Sequence, residues 1–173
     1  MSMLSKIFTR RDDRAFVRPL YSAIVAHARQ PHWYVEGGVA DTIDGRFDMV
    51  SAVLALVLVR MENLGGEAAA ASSILTETFV EDMDGQLREM GIGDVIVGKH
   101  IGKMMSALGG RLGAYRASLS QHSGFADALM RNLYRDVAPA PAALAHVESE
   151  LTALNATLQT RDYGALLRGE IGG

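Results

Sequence analysis

The sequence contains no cysteine among its 173 residues, and aromatic residues make up only 6% of it. The absence of cysteine excludes a disulfide-framed secreted module, a thiolate nucleophile, a cysteine-ligated zinc site and an iron-sulfur cluster. A single domain of this length buries roughly 70% of the surface that its unfolded chain exposes, so a core forms without a disulfide or a metal. The chain also lacks an excess of positive charge. Its formal net charge of −3 argues against specific nucleic-acid binding.

Long hydrophobic runs are missing as well. The longest apolar run, residues 49–59, is far shorter than the roughly 20 residues that a membrane-spanning helix needs. The N-terminal residues do not resemble a signal peptide, because Asp12 and Asp13 follow Arg10 and Arg11 where hydrophobic residues would be needed. We therefore expect a cytoplasmic protein. The positive charge near the N-terminus is compatible with peripheral contact with anionic lipid.

Helical periodicity dominates the chain, and no segment shows the alternation of apolar and polar residues that is typical of a strand. Asp12 and Asp13 are expected to cap a helix that runs to about Gln30, in which Pro19 either produces a kink or marks the true start. The segment 47–61 is apolar on all sides, which predicts a central helix. The pattern predicts an all-α fold: a single compact bundle of about six or seven helices.

Glycines predict where several helices end. Gly65–Gly66 ends the central helix, and Gly91–Gly93 forms an elbow between the next two helices. Asp44 and Asp94 stand where helix N-caps are expected. Gly109–Gly110 is predicted to interrupt the helix that follows the elbow. A loop containing the single tryptophan is expected over residues 31–42.

An Ala-Pro-Ala-Pro-Ala segment at residues 138–142 is the best candidate boundary in the chain. We predict a helical domain over residues 1–137, and a hinge with a C-terminal helix packed on it over residues 138–173. The apolar stripe from Leu144 to Leu158 could instead pair with a second chain. Since no lysine or arginine lies between Pro141 and Thr160, a coiled coil would lack the opposite charges beside the apolar seam that usually select the partner helix. A structural dimerisation module therefore stays an alternative.

Motifs for catalysis are scarce. The segment from Gly93 to His100 matches three of the four fixed positions of a phosphate-binding loop, but His100 replaces the required hydroxyl and the preceding pattern is helical. Asp82 and Asp84 would point about 200° apart on a helix, so they cannot share a metal from one face. We expect no enzyme activity, no catalytic residue, no metal and no cofactor. A small nucleotide-binding protein or enzyme that uses the Gly93–Lys99 elbow is the other alternative.

Charge and methionine are distributed unusually around the elbow. Residues 76–94 carry six acids and one base, whereas residues 95–121 carry four bases and no acid. Methionine suits both cores and surfaces that bind varied apolar partners. Core packing is the default expectation for this cluster, and a groove would bind an apolar helix. The methionines that flank the elbow are Met83, Met90, Met104 and Met105.

Several short motifs, in a fixed order, resemble the ubiquinol-cytochrome c chaperone family. The resemblance is good over Asp44 to Tyr115 and looser at the flanks, and the short chain is similar to the bacterial form. The motifs are Asp44–Met49, which opens the apolar helix, Arg60–Met61, which ends it, and then Phe79–Asp84, Leu87–Glu89, Gly91–Asp94 and Val97–Lys99.

This resemblance implies an all-helical, non-catalytic chaperone that promotes assembly of ubiquinol-cytochrome c reductase. The mitochondrial relatives work with a small partner protein and receive newly made cytochrome b near the ribosomal tunnel exit. The partners implied here are apocytochrome b or an early assembly intermediate, with a small partner protein or the ribosome as further candidates. The implied location is cytoplasmic, with peripheral contact at the inner membrane.

The residues predicted to bind this partner lie on both sides of the elbow. Those of the matching motifs that are polar, namely Asp82, Asp84, Arg88, Asp94 and Lys99, are expected to be exposed. Capping and pairing within the helices would account for them equally well. The complete predicted set is Asp82, Met83, Asp84, Arg88, Asp94, Lys99, Lys103 and Met104.

Overall fold

The computed structural model describes residues 14–172, which form eight α-helices and, within that range, no strand. The all-α prediction is confirmed. Asp12, Asp13 and the basic residues before them lie outside the described residues. After a 3-10 turn at Ala15–Val17, the helices are α1 (Arg18–Ala28), α2 (His32–Val35), α3 (Ile43–Leu64), α4 (Gly66–Glu89), α5 (Asp94–Gln121), α6 (Phe125–Asn132), α7 (Pro141–Gln159) and α8 (Tyr163–Leu167).

The central helix of the bundle is α3. Every residue from Phe47 to Val59 is buried, and the helix contacts α1, α4, α5 and α7. Neighbours on all sides remove apolar surface from water around the whole circumference, which is why this helix lacks a polar face. Two polar residues nonetheless lie in the buried stretch. Asp48 is 2% exposed and Ser51 is fully buried.

Glycines in the left-handed region end α3 and α4 as predicted. Gly65 has φ of 68° and Gly91 has φ of 77°. At the elbow, the N–H of Gly91 donates to the Arg88 carbonyl at 2.9 Å, and the N–H of Ile92 donates to the Leu87 carbonyl at 3.2 Å. These two bonds form a Schellman motif, which satisfies the last carbonyls of α4 and turns the chain sharply into α5.

Two predicted N-caps are wrong by one or two residues. Thr42 caps α3, because its Oγ1 accepts a hydrogen bond from the N–H of Gly45 at 3.1 Å. Asp44 instead lies in the first turn, where its negative charge interacts favourably with the positive end of the helix dipole. The N-cap of α5 is Gly93, which makes Asp94 the first helical residue.

The predicted break at Gly109–Gly110 is also wrong, because α5 is continuous from Asp94 to Gln121. A glycine inside a helix costs only about 1 kcal/mol relative to alanine. The buried side chains of Leu108 and Tyr115, on either side of the pair, hold both halves of α5 against the bundle. Tertiary packing therefore outweighs the local preference.

The segment 31–42 is not purely a loop. It contains the short helix α2, whose Trp33 is completely buried and donates its indole N–H to the His27 carbonyl at 2.8 Å. Pro19 marks the start of α1, the second of the two alternatives that its position allowed. A buried aromatic with its polar atom satisfied fixes this segment against α1.

The C-terminal helix α7 contacts α3 and α6. Val147, Leu151 and Leu158 on its apolar stripe are completely buried within the same chain. Beyond it, the Arg161 carbonyl accepts a hydrogen bond from Nη2 of Arg60 on α3 at 2.7 Å. The division of the chain at residue 138 stays a prediction.

Gly45 is the position of α3 where an added side chain has least room. A Cβ there would lie 1.9 Å from the carbonyl oxygen of Ala40. We expect Gly45→Ala to lower the free energy of unfolding by about 1–3 kcal/mol, as overpacking commonly does. The matched control is Gly85→Ala in α4, where no described atom other than the local backbone of the same helix lies within 4 Å of the added Cβ.

Gly85→Ala should raise the free energy of unfolding by about 0.5–1 kcal/mol, because alanine loses less conformational entropy than glycine in a helix. Urea denaturation of the two variants measures both effects. Equal shifts of the two variants in the same direction would contradict the close approach at Gly45.

Candidate partner-binding site

The elbow triad consists of Asp84, Arg88 and Asp94, which surround the turn at Gly91. Arg88 donates from Nε to Oδ2 of Asp84 at 2.6 Å and from Nη1 to Asp94. The hydrogen bond to Asp84, followed by the one to Asp94, raises the pKa of Arg88. Because all three side chains reach solvent, each pair contributes at most about 1 kcal/mol. Their effect is to orient the first turn of α5 against the last turn of α4.

Asp82 and Asp84 are both half-buried, which corrects the prediction that they are exposed. The hydroxyl of Tyr21 on α1 donates to Oδ2 of Asp82 at 2.6 Å. Burial and then this hydrogen bond raise the pKa of Tyr21. Asp82 thus ties α4 to α1, while Asp84 faces Arg88, so the two carboxylates diverge as their helical spacing predicts. Within residues 14–172 no group of His, Asp and Glu side chains could hold a metal ion.

The methionines near the elbow do not share one environment. Met83 is buried and Met104 is half-buried, whereas Met90 and Met105 are 45% and 37% exposed. Met83, Met90 and Met104 line one open groove, and Met105 lies outside it. Core packing therefore accounts for Met83 and for part of Met104. Met90 belongs to the surface.

The apolar groove lies beside the elbow, between α1, α3, α4 and α5, and has a volume of about 130 Å³. Its rim includes Ile43 and Met90, which are 62% and 45% exposed. Arg29, Arg46 and other polar residues border it. Exposed apolar surface with a polar border is typical of a site that binds another protein. The apolar lining consists of Val25, Ile43, Phe47, Val50, Met83, Leu87, Met90 and Met104.

A basic cavity of about 370 Å³ adjoins the groove and shares the side chains of Phe47 and Met104 with it. Four arginine and lysine side chains line it against two carboxylates, which leaves two positive charges when His100 is neutral. The cavity lies between the start of α3, the middle of α5 and the end of α6. Its lining consists of Asp44, Phe47, Asp48, His100, Lys103, Met104, Ala107, Arg111, Arg131, Asn132 and Arg135.

Asp48 holds the wall of this cavity together from inside the apolar stretch of α3. Arg111 donates from Nη2 to Oδ1 of Asp48, and Arg135 donates from Nε to Oδ2 at 2.7 Å. Arg111 also donates from Nε to the Asn132 carbonyl at 3.0 Å. The hydrogen bond with Asp48 raises the pKa of Arg135. A carboxylate removed from water is strongly destabilising unless it is paired in this way.

Helix α5 is less basic on its surface than its sequence indicates. Arg111 is buried in the cavity wall, and Nη2 of Arg116 lies 2.6 Å from Oε2 of Glu62 on α3. Lys99 and Lys103 are exposed, and neither takes part in an ion pair within the described part of the chain. The positive charge left for a partner is therefore concentrated in the first half of α5.

The segment from Gly93 to His100 does not form a phosphate-binding loop. Helix α5 begins at Asp94, so Lys99 lies in its second turn, and the element before it is a helix and not a strand. A phosphate-binding loop needs a run of free backbone N–H groups around the phosphate. Here the N–H groups of Ile96 and Val97 already donate to the Gly93 carbonyl. The nucleotide-binding alternative thus loses the geometry on which it depended.

Comparison with known proteins relates this chain to one family. Residues 35–171 match the family model described as Ubiquinol-cytochrome C chaperone. The chain belongs to this chaperone family. This chain is similar to the protein in the crystal structure of the Cbp3 homolog from Brucella abortus, with 33% sequence identity and a TM-score of 0.79. That similarity covers 98% of this chain and 96% of the other. Comparison with curated proteins gives no match.

Across residues 14–172 of the chaperone, no helix is both long enough and apolar enough to cross a membrane. Seven of the eight residues predicted to bind a partner divide among three features of the structure. Asp82, Met83 and Met104 line the apolar groove, and Lys103 and Met104 line the basic cavity. Asp84, Arg88 and Asp94 form the elbow triad. Lys99 is exposed beyond all three.

Sequence reasoning did not find the basic cavity of the chaperone. The sequence predicts Asp44 only as an N-cap, and Arg111 is one of the four bases counted in residues 95–121. One signal was present: Asp48 interrupts an apolar stretch whose neighbours on both sides are buried. A charge at such a position needs a buried partner. The partners Arg111 and Arg135 lie 63 and 87 residues away, so local patterns do not identify them.

Proposed function

We propose that this chaperone promotes assembly of ubiquinol-cytochrome c reductase by binding newly made cytochrome b or an early assembly intermediate, without catalysing a reaction. The observation that carries the proposal is the open apolar groove at the elbow, in a chain of the ubiquinol-cytochrome C chaperone family. A membrane subunit exposes apolar helix surface before it is assembled. A chaperone for it needs apolar surface that is accessible from solvent.

The composition of the groove suits a client of this kind. Met83, Met90 and Met104 have flexible, polarizable side chains that can adjust to different apolar side chains. The volume of about 130 Å³ suits a few side chains rather than a whole helix. The groove therefore acts as an anchor point for one segment of the client, as hot-spot pockets do at other interfaces.

The charged residues around the groove have a different role in this proposal. Lys99 and Lys103 on α5, together with the elbow triad, steer and orient the client. Charges at the rim of an interface change the association rate and the salt dependence more than the affinity. The predicted residues Asp84, Arg88 and Asp94 additionally keep α4 and α5 at the angle that leaves the groove open.

The proposal also specifies where the chaperone acts and which other partners it has. It binds the client at the cytoplasmic face of the inner membrane and makes only peripheral contact with the lipid. A small partner protein or the ribosome are further partners. Sequence-specific binding of nucleic acid is not part of the proposal, since the formal net charge of the chain is −3.

The test removes the gene and restores it in altered form. Deletion should abolish most of the cytochrome bc signal in the reduced haem spectrum, and the unaltered gene should restore it. Met90→Asp places a charge on the groove rim and should weaken client binding by roughly 10- to 30-fold, so the complex should not recover. Met105→Asp is the matched control, because Met105 is similarly exposed but lies outside the groove.

Urea denaturation first establishes that both methionine variants fold like the unaltered protein. Crosslinking of the chaperone to newly made cytochrome b then reads binding directly. A normal haem spectrum after deletion would overturn the proposed function. Full recovery with Met90→Asp would overturn the assignment of the client to this groove.

A further inference from the structure

The basic cavity has more positive charge than its own carboxylates neutralise. Asp48 is bonded by Arg111 and Arg135, and Asp44 lies 3.0 Å from Nη1 of Arg135. Both carboxylates of the lining are therefore engaged. Arg131 and Lys103 also line the cavity, and neither takes part in an ion pair among residues 14–172. Two cationic side chains thus face the cavity without an anion.

A second observation concerns which cationic groups an occupant can reach. Arg111 is 3% exposed and its Nη1 is closed to solvent, so this residue holds Asp48 in the cavity wall and does not face an occupant. The accessible cations of the lining are therefore Arg131 and Lys103, both of which are exposed. An oxygen-rich anion in the cavity would supply acceptors to guanidinium groups, whose planar fork matches a carboxylate or phosphate geometrically.

A third observation connects the cavity with the groove. Phe47 and Met104 belong to both linings, so the basic cavity and the apolar groove are adjacent and share these side chains. A segment that contacts both sites needs apolar side chains on one side and a negative group on the other. The groove, at about 130 Å³, is small for the hydrocarbon chains of a lipid but suits the side chains of a protein segment.

We propose that the basic cavity binds a carboxylate, and that this carboxylate is an acidic side chain of the protein segment whose apolar side chains occupy the groove. This inference rests on the proposed function for the identity of that segment as part of the client. The chemical requirement is narrower than apolarity alone. A client segment would be recognised by an aspartate or glutamate next to its apolar side chains, and purely apolar helices would bind less tightly.

The first experiment tests the cavity without a client. The full chain is titrated with sodium acetate and separately with acetamide at constant ionic strength, while NMR signals around Lys103, Arg111 and Arg131 are followed. Acetate should give saturable shifts and acetamide should give none. Lys103→Gln and Arg131→Gln should each weaken acetate binding by about tenfold. Arg116→Gln, on the same helix but outside the cavity, is the matched control and should bind acetate normally.

The second experiment tests the occupant. Two short helical peptides carry leucines on one face and differ only in a glutamate or a glutamine beside them. The glutamate peptide should bind about tenfold more tightly, and the difference should disappear in Lys103→Gln and Arg131→Gln. Inorganic phosphate and vesicles of anionic lipid serve as the competing anions.

The outcomes separate this inference from the proposed function. Equal binding of the two peptides, or saturation by phosphate or anionic vesicles with no preference for the glutamate peptide, overturns the carboxylate assignment. Acetate shifts that are unchanged in Lys103→Gln and Arg131→Gln overturn the site itself. In both cases a failed recovery with Met90→Asp would still support the proposed function. A normal haem spectrum after gene deletion, by contrast, would overturn the assignment of the client to this complex. The result of the acetate titration would still stand.

Discussion

Substitution of Asp48 by alanine is expected to lower the free energy of unfolding by about 3–5 kcal/mol, which is a large part of the stability of a typical domain. Asp48 has a side chain that is 3% exposed, and it accepts hydrogen bonds from Arg111 and Arg135. Removing it leaves the guanidinium of Arg111 buried without a counter-charge. Urea denaturation of the full chain, followed by circular dichroism, measures the loss.

The control for this prediction is Asp44→Ala. Asp44 pairs with the same Arg135, but its side chain is 72% exposed, so its removal should cost less than about 1 kcal/mol. The double variant Asp48→Leu with Arg111→Met replaces the buried pair by apolar side chains and should recover much of the lost stability. Equal losses for Asp48→Ala and Asp44→Ala would show that burial of the pair has no energetic consequence.

The parts of the fold that follow from local physics were predictable. The segment 47–61 has no polar face, and the structure surrounds it with four helices. Gly65 and Gly91 adopt positive φ at the ends of two helices, as glycine at such positions commonly does. In each case the information lies within one or two turns of chain, which is the range that periodicity and capping preferences describe.

Where tertiary contacts decide, the sequence was a poorer guide. Two residues near the start of α3, Thr42 and Asp44, are both good caps, and backbone geometry selects Thr42. Gly109–Gly110 was predicted to break α5, yet buried residues on both sides keep the helix intact. A glycine pair weakens a helix by a local amount that packing of the flanking turns exceeds.

The site was predictable in the same uneven way. Within the elbow triad, the pair of Asp84 and Arg88 follows from spacing, since the two residues are four apart on one helix. The contact of Arg88 with Asp94 joins two helices across the elbow, and spacing does not predict it. The basic cavity depends on pairs far apart in sequence, and one of its members departs from ordinary backbone geometry. Arg135 has φ of 53°, which costs energy for a residue with a side chain. Its bonds to Asp48 and Asp44 offset that cost. The position of Asp48 in an apolar stretch signals that a partner is needed, but no sequence pattern identifies Arg135 as that partner.

A chain that ends before Pro141 is expected to lose its cooperative fold. The deletion removes α7 and α8, and with them Val147, Leu151 and Leu158, each completely buried in the full chain. At about 1.5–3 kcal/mol for each buried aliphatic side chain, these three alone account for about 4.5–9 kcal/mol. Since a typical domain is stable by only about 5–15 kcal/mol, the remainder should be largely unfolded.

Circular dichroism and sedimentation of the truncated chain measure this loss, and a peptide of residues 141–173 added in trans provides the control. The peptide should restore helical content, because α7 docks on α3 and α6 through side chains that do not depend on the covalent link. Arg60, whose guanidinium donates to the Arg161 carbonyl, would regain its partner at the same time. A truncated chain that melts cooperatively with native helicity would mean that the segment before residue 138 folds as an independent domain. Failure of both the truncated chain and the mixture to fold would mean that α7 must be linked to the bundle while the core around α3 forms.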